Sequence, residues 1–191
     1  MTATANPPSD EQLLARFARG DDAALASLAQ RHERALIGLA AALLDGQTDR
    51  AHDAVQEAWM KVIKHARSFR GDSTFRTWMY RIVINKCKDI RERQNSVALT
   101  DNIAPATDTS PLRLVSDHAL THDVRVAMRS LPAQTRLLLI ICYHQGLSHP
   151  QAADVLGIPV GTLKSRLAAA LTELRSLLNA HSTDHKKAVT P

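Results

Sequence analysis

The chain has 191 residues, 45% of them hydrophobic and 4% aromatic, which allows one ordinary domain or two small ones and excludes a disordered polymer. An interior of Leu, Ala, Val and Ile, in a chain with 7 Gly, favours helices over sheets. The net charge of +5 is too small to identify a partner, and the longest apolar run, residues 137–142, is too short to span a bilayer. We therefore expect no direct membrane insertion.

Four helices are predicted before residue 95. Residues 1–9 are small and polar and are predicted to be disordered. Ser9 followed by Gln12 is a capping-box pattern, which opens a short helix that Gly20 stops. Apolar spacing predicts three further helices, over residues 22–44, 48–66 and 74–93. We expect the third of these four helices to bury one stripe, formed by Ala51, Val55, Ala58, Trp59, Val62 and Ile63.

Positive charge is concentrated between residues 61 and 93. That segment contains ten Lys or Arg and three acidic residues, a net charge of +7. Such density is the expected footprint of phosphate binding, although a solvated helix face remains the alternative.

The second half of the chain is predicted to form another helical domain. Residues 96–118 lose the apolar periodicity and are predicted to be a flexible linker. Short helices are then predicted over residues 123–129, 132–144 and 150–156, and a long one over 159–179. We expect the long helix to turn inward Val160, Leu163, Leu167, Leu171, Leu174 and Leu178.

The predicted fold class is therefore all-α. Two small helical domains, at residues 10–95 and 119–180, are joined by the linker, and residues 181–191 form a tail. No strand pattern interrupts the helices.

A helix-turn-helix is predicted within the second domain. Ser148 caps the first of its helices, and Gly157 supplies the tight turn. The start of the following helix would enter a major groove, where Lys164 and Arg166 have the reach for phosphates or guanine edges. A plain helical hairpin with a charged surface is the alternative.

Catalytic and metal chemistry find no support in the sequence. We find no nucleophile–base pair, no phosphate-cradling glycine loop and no cluster of metal ligands, so we expect no enzyme, no cofactor, no metal and no small-molecule substrate. Cys87 and Cys142 fall at apolar helical positions, as buried free thiols in a reducing cytoplasm do. A cytoplasmic location is the matching expectation, because no secretory signal pattern opens the chain.

Two separated stretches resemble one protein family. LPAQTR at 131–136, GLS at 146–148 and ADVLGIPVGTLKSRL at 153–167 closely resemble conserved region four of the extracytoplasmic-function (group IV) sigma factors of bacterial RNA polymerase. Upstream, DAVQEAW at 53–59 and FRGDSTFRTWMYRIVIN at 69–85 resemble region two of the same family. The resemblance implies a factor that binds polymerase core and directs it to promoters, with region two at residues 10–95 and region four at 119–180.

The resemblance assigns polymerase docking to the third helix. It implies that a docking face contacts the clamp helices of the beta-prime subunit, and it also implies contact with the beta flap. Carboxylates and an amide beside an apolar ring suit a polar-rimmed protein interface. The docking face comprises Asp53, Gln56, Glu57 and Trp59.

The resemblance assigns promoter opening to the loop after that helix and to the next helix. Bases that leave the stack need an aromatic platform, with cations on the backbone. Of the four aromatic residues between 69 and 80, Phe75 and Trp78 lie on the apolar stripe and are expected in the core. The minus-ten surface comprises Arg67, Phe69, Arg70, Arg76, Tyr80, Arg81, Asn85 and Lys88.

The resemblance makes the last helix the reader of the minus-thirty-five element. This chain departs from the family where Ala168-Ala169-Ala170 replaces the usual His and Arg residues, and where His149-Pro150-Gln151 replaces an acidic pair. These departures bear on the strength of the contact and not on the fold. The minus-thirty-five face comprises Gly161, Thr162, Lys164, Ser165 and Arg166.

Members of the family are often held inactive by an anti-sigma factor, so the resemblance implies such a partner beside polymerase core and promoter DNA. The alternative function is a stand-alone helix-turn-helix regulator whose first domain senses a ligand or dimerises. Residues 53–85 discriminate between the two, because a sensor domain needs no polar docking helix followed by an aromatic and Arg-rich loop.

Overall fold

A computed structural model describes residues 7–101 and 122–187, with side chains described for 7–94 and 123–179. Every regular element within these ranges is helical, which confirms the all-α prediction. An N-terminal bundle consists of α1 (Asp10–Phe17), α2 (Asp22–Leu43), α3 (Thr48–His65), a 3₁₀ turn (Ala66–Ser68) and α4 (Phe75–Asp101). A C-terminal bundle consists of α5 (His122–Ser130), α6 (Ala133–Leu139), a π-helical continuation (Ile140–His144), α7 (His149–Leu156) and α8 (Val160–Lys187).

Each helix begins at the predicted residue or within one residue of it. The Gln12 amide donates to Ser9 Oγ at 3.2 Å, and the Ser9 amide donates to Gln12 Oε1 at 2.9 Å, which completes the capping box of α1. Ser148 and Gln151 form a second capping box at α7, where only the cap by Ser148 was predicted. These side chains satisfy backbone donors that have no partner within a first helical turn.

Two helices extend further than their apolar pattern predicts. Helix α4 was expected to end near Arg93 but continues to Asp101, within the segment predicted to be a linker, and α8 continues past Asn179 to Lys187. Neither extension contains a glycine or proline to stop it. The loss of apolar periodicity therefore does not mark the end of either helix. The remainder of the linker, residues 102–121, and the N-terminal residues 1–6 lie outside the described residues.

The predicted inward stripe of α8 is partly wrong. Val160 and Leu171 are each 37% exposed, whereas Ala170 is 2% exposed and lies in the core. The buried positions step from Leu163 to Leu167 to Ala170, spacings of four and three residues that keep one face of a helix inward. An alanine carries too little hydrophobic signal to be placed on that face by pattern alone.

The two bundles pack against each other. Their buried side chains form one continuous cluster, in which Leu36 and Leu39 of α2 and Ile140 and Ile141 of the π-helical segment are each 5% exposed or less. Helix α7 lies against α4, and the π-helical segment lies against α2. The sequence predicts two domains but gives no sign of this contact. None of the helices in the described ranges has the length and apolar character needed to cross a membrane.

Candidate nucleic-acid and protein interfaces

The docking face lies on the outer side of α3. Asp53, Gln56 and Glu57 are exposed there, and Glu57 Oε2 pairs with Lys86 Nζ of α4 at 2.6 Å. Trp59 is half-buried, with its ring centroid 6.3 Å from that of Phe75 and its Nε1 hydrogen without a partner. Trp59 therefore packs mostly beneath the docking face and projects little from it.

Two exposed apolar residues outside the predicted docking face lie on the same helix. Met60 is 61% exposed and Ile63 is 43% exposed, although Ile63 was predicted to point inward. Successive residues of a helix are about 100° apart, so when Val62 is buried its neighbour Ile63 is turned away from the core. An exposed Met and Ile beside the carboxylates give α3 the apolar centre and polar rim of a protein interface.

Part of the minus-ten surface is open. Arg67 and Arg70 are exposed in the loop before α4, and Asn85 and Lys88 are exposed along α4 itself. Phe69 is half-buried and packs on Trp78, with ring centroids 5.0 Å apart. These open positions combine cations with the edge of an aromatic pair, the mixture that single-stranded DNA binding uses.

The other part of the minus-ten surface is covered by the C-terminal bundle. Arg76 donates to the backbone oxygen of Gln145, and the Tyr80 hydroxyl donates to Gln145 Oε1 at 2.8 Å. Arg81 donates to Asp154 Oδ1 at 2.6 Å and to the Asp154 backbone oxygen at 2.7 Å. Tyr80 is only 1% exposed in this arrangement.

The burial of Tyr80 changes its acidity. Desolvation raises the pKa of the Tyr80 phenol, and the nearby Arg76 guanidinium opposes that rise. The guanidinium carbon of Arg76 lies 5.4 Å from the centre of the Tyr80 ring, within the range of a cation–π contact. Tyr80 therefore stays neutral at physiological pH, and its hydroxyl donates a hydrogen bond to Gln145 Oε1.

The helix-turn-helix is formed by α7 and α8. Gly157 joins the two helices with φ +66°, a left-handed conformation that residues with a Cβ rarely adopt. Ala152 and Ala153 are buried beneath the crossing, as expected for two helices that approach closely.

The minus-thirty-five face is open to solvent. Gly161, Lys164, Ser165 and Arg166 are exposed, while Thr162 is half-buried and accepts a hydrogen bond on its backbone oxygen from Ser165 Oγ at 3.0 Å. A Cβ added at Gly161 would meet no atom within 4 Å, so packing within the protein does not require glycine at that position. Lys164 and Arg166 project from the first turns of α8, where a recognition helix contacts DNA.

Two family models match this chain, one in each bundle. The family model described as Sigma-70 region 2 matches residues 28–97, and the model described as Sigma-70, region 4 matches residues 121–174. The chain is 33% identical to the ECF RNA polymerase sigma factor SigE of Mycolicibacterium smegmatis, over 93% of this chain and 72% of that protein. It is 35% identical to the ECF RNA polymerase sigma factor SigM of Mycobacterium tuberculosis, over 92% of this chain and 87% of that protein.

Solved structures show the same fold. CnrH, solved in complex with the cytosolic domain of CnrY, matches with a TM-score of 0.68 and 27% identity over 91% of this chain and 99% of that one. The sigma factor RpoE of Bartonella quintana, solved in complex with the anti-sigma factor NepR, matches with a TM-score of 0.60 and 28% identity over 76% of this chain and 90% of that one.

Proposed function

The chain belongs to the extracytoplasmic-function group of RNA polymerase sigma factors, and from that membership we propose how its two bundles divide the work of promoter recognition. It is a factor that binds RNA polymerase core and directs transcription initiation at particular promoters. Sigma factors act by binding and not by catalysis. The observation that carries this assignment is the presence of both sigma regions, in order, over most of the chain.

The N-terminal bundle, in our proposal, docks on the polymerase and holds the opened minus-ten strand. The exposed carboxylates of Asp53 and Glu57, with Gln56 and the apolar Met60 and Ile63, support α3 as the docking helix. The cations around the loop of residues 67–72 support contact with the DNA backbone. Binding energy from these contacts would trap bases that have left the stack.

The C-terminal bundle, in our proposal, reads the minus-thirty-five element through α8. Lys164 and Arg166 supply charge and hydrogen-bond donors, and Gly161 lets the backbone approach a phosphate. The small residues Ala168 and Ala169 that follow are exposed and offer no further polar contact. We propose that the loss of polar contacts at these positions weakens the minus-thirty-five contact and leaves more of the promoter-binding energy to the N-terminal bundle.

An anti-sigma factor is the proposed regulator. The support is that CnrH was solved with the cytosolic domain of CnrY and RpoE with the anti-sigma factor NepR. We expect such a partner to act on the chain in the cytoplasm, where the polymerase is. Inhibition of transcription by a partner that binds the free chain would test this regulation.

Run-off transcription with purified core polymerase on a promoter library tests the proposed function. We expect initiation from a subset of templates, which also reports the promoter motif. A pull-down with core distinguishes this function from a stand-alone helix-turn-helix regulator, because a stand-alone regulator does not co-purify stoichiometrically with core. A chain that neither initiates transcription nor retains core overturns the proposal.

A further inference from the structure

We propose that Glu11 of α1 is a positioning residue for promoter opening, because it fixes the loop that carries part of the minus-ten surface. This minus-ten loop, residues 68–74, joins the 3₁₀ turn to α4. The inference rests on the proposed function of the minus-ten surface. The family model of region 2 begins its match at residue 28, so α1 precedes the matched segment.

Helix α1 holds the first residue of α4. Glu11 Oε1 accepts a hydrogen bond from the Phe75 amide at 2.9 Å, across 64 positions of the chain. The first amides of a helix have no partner within that helix, so they need acceptors from elsewhere. Thr74 Oγ1 accepts from the Thr77 amide at 3.2 Å, and the Glu11 carboxylate adds a second acceptor where a helix favours negative charge. A side chain of α1 therefore helps to set where α4 begins.

Helix α1 also holds the other end of the minus-ten loop. Arg67 Nε donates to the backbone oxygen of Ala18, at the C-terminal end of α1, at 3.2 Å. The 3₁₀ turn that contains Arg67 lies against the same helix. Fastening both ends of a short segment to one helix reduces the number of conformations that the segment can adopt. The minus-ten loop is therefore held between two points of α1.

Aromatic packing transmits this constraint to the minus-ten surface. Phe75 is fully buried, and its ring centroid lies 6.3 Å from that of Trp78. Trp78 in turn packs on Phe69, the aromatic residue of the loop that was assigned to the minus-ten surface, with ring centroids 5.0 Å apart. Phe75 and Trp78 lie within one helical turn, so a shift in the start of α4 moves both rings and the support of Phe69. Glu11 therefore acts through the position of Phe69 and not by touching DNA.

Helix α1 is itself fixed to another part of the bundle. Asp10 Oδ2 lies 2.6 Å from His32 Nε2, and Asp10 Oδ1 lies 3.1 Å from Arg31 Nη1, both on α2. The two adjacent carboxylates of α1 thus have different partners, since Asp10 joins α1 to α2 and Glu11 joins it to α4. Removing the Glu11 carboxylate should therefore free the start of α4 while α1 stays on α2.

The experiment compares Glu11→Ala and Glu11→Gln with the wild-type chain, each assembled with core polymerase on the promoter that run-off transcription identifies. Permanganate reactivity of unpaired thymines in the minus-ten element reports the equilibrium of opening. We expect Glu11→Ala to lower that equilibrium about fivefold, the effect that loss of a helix cap produces. Glu11→Gln keeps an oxygen that accepts from Phe75, so its opening should stay within about twofold of the wild type. Affinity for core and for duplex containing the minus-thirty-five element should be unchanged in both variants.

Gln12→Ala and Glu33→Ala are the matched controls. Gln12→Ala removes the capping box of α1 but leaves the acceptor of α4 in place, so it shows the effect of a weaker α1 alone. Glu33→Ala removes an exposed carboxylate from α2. We expect wild-type opening for Glu33→Ala and a smaller loss for Gln12→Ala than for Glu11→Ala. Circular dichroism verifies that each variant is folded.

Hydrogen exchange of the free full-length chain, followed by mass spectrometry, tests the contact without polymerase. We expect faster exchange of amides within residues 69–78 in Glu11→Ala than in Glu11→Gln or the wild type. The reason is that only the alanine variant leaves the Phe75 amide without its acceptor.

Three results overturn the positioning role of Glu11. They are unchanged exchange in Glu11→Ala, faster exchange with unchanged promoter opening, and an equal loss of opening in Gln12→Ala and Glu11→Ala. Each can occur in a chain whose wild type initiates transcription with core, in which case the proposed function stands and the role of Glu11 alone is wrong. A wild type that initiates at no template overturns the proposed function, and the positioning role with it.

Discussion

The two surfaces proposed to bind DNA differ in what surrounds them. On α8 the proposed contact residues Lys164 and Arg166 are exposed to solvent. On α4, Tyr80 and Arg81 of the minus-ten surface lie beneath the other bundle. A recognition helix can be ready at all times because duplex DNA offers its groove without melting, whereas a surface that holds unstacked bases acts only once a promoter opens.

The largest expected effect concerns the minus-thirty-five face. Lys164→Glu with Arg166→Glu should weaken binding to promoter duplex about 100-fold, since each side chain stands to lose a base or phosphate contact. Core binding should be unchanged, because both residues lie on α8 and not on the proposed docking face of α3. Electrophoretic mobility shift with the identified promoter, and pull-down with core, measure the two steps.

Arg129→Glu with Arg175→Glu provides the control for that experiment. Both residues are exposed on the same bundle, outside the proposed face, so the variant carries the same change in charge. Equal losses for the two double variants would mean that overall charge, and not the proposed face, holds the promoter.

The next effect concerns the docking face. Asp53→Ala with Gln56→Ala should weaken core binding about tenfold, or about 1.4 kcal/mol, and leave binding of the free chain to DNA intact. Glu57→Lys should add to this loss and break the Glu57–Lys86 pair at little cost in stability, because that pair is partly exposed. Fluorescence titration with core polymerase measures the change.

Glu33→Lys is the charge-matched control on the exposed side of α2. It should bind core as the wild type does. Loss of DNA binding by the free docking variants would contradict the proposed division between α3 and the DNA surfaces.

Substitutions at one helix cap in each bundle compare how much the two caps contribute to the free energy of unfolding. Ser9→Ala and Ser148→Ala should each lower the free energy of unfolding by about 1 kcal/mol, because each removes the side-chain oxygen of a capping box. Urea denaturation followed by circular dichroism measures both. Ser176→Ala, at an exposed position within α8, serves as the control and should not destabilise the protein.

The number of urea-unfolding transitions tests whether the two bundles unfold together. If the bundles stay packed up to unfolding, both variants shift one shared transition. Two separate transitions, each shifted by one variant only, would show that the contact between the bundles contributes little to stability.

The smallest effect concerns the two thiols. Burial raises the pKa of Cys87 to about 12 and also raises the pKa of half-buried Cys142. At about pH 8 an aromatic disulfide reagent should modify Cys142 first, because the more accessible thiol reaches the thiolate state more readily. Loss of the fast phase of thiol modification in Cys142→Ser would assign that phase to Cys142. A fast phase that persists in this variant would contradict the buried position of Cys87.

The same pKa of Cys87 predicts a loss of stability in alkali. The thiol of the unfolded chain loses its proton near its ordinary pKa of 9.0, before the buried thiol does. Between pH 9.0 and about 12 the unfolded state therefore binds fewer protons, and rising pH favours unfolding. Denaturation midpoints measured across this range should fall less steeply for Cys87→Ala than for Cys142→Ser.

The sequence determined a large part of this protein by itself. Ser9, Ser148 and Gly157 define helix boundaries through local geometry, which a short stretch of chain specifies alone. The motifs around Asp53, Phe69 and Lys164 predicted the family, because they combine residue types and spacings that occur together in both regions. Helix lengths were less predictable, since α4 and α8 continue through residues that show no apolar periodicity.

Only the tertiary structure decided which of these residues are accessible. Gln145 and Arg136 are polar, so no apolar pattern predicts their burial, and Ile63 was predicted inward although it is exposed. Tyr80 meets Gln145 across 65 positions of the chain. Such a contact depends on how two bundles pack and not on the order of residues within either, which is why the sequence predicted the two DNA surfaces but not that one of them is covered.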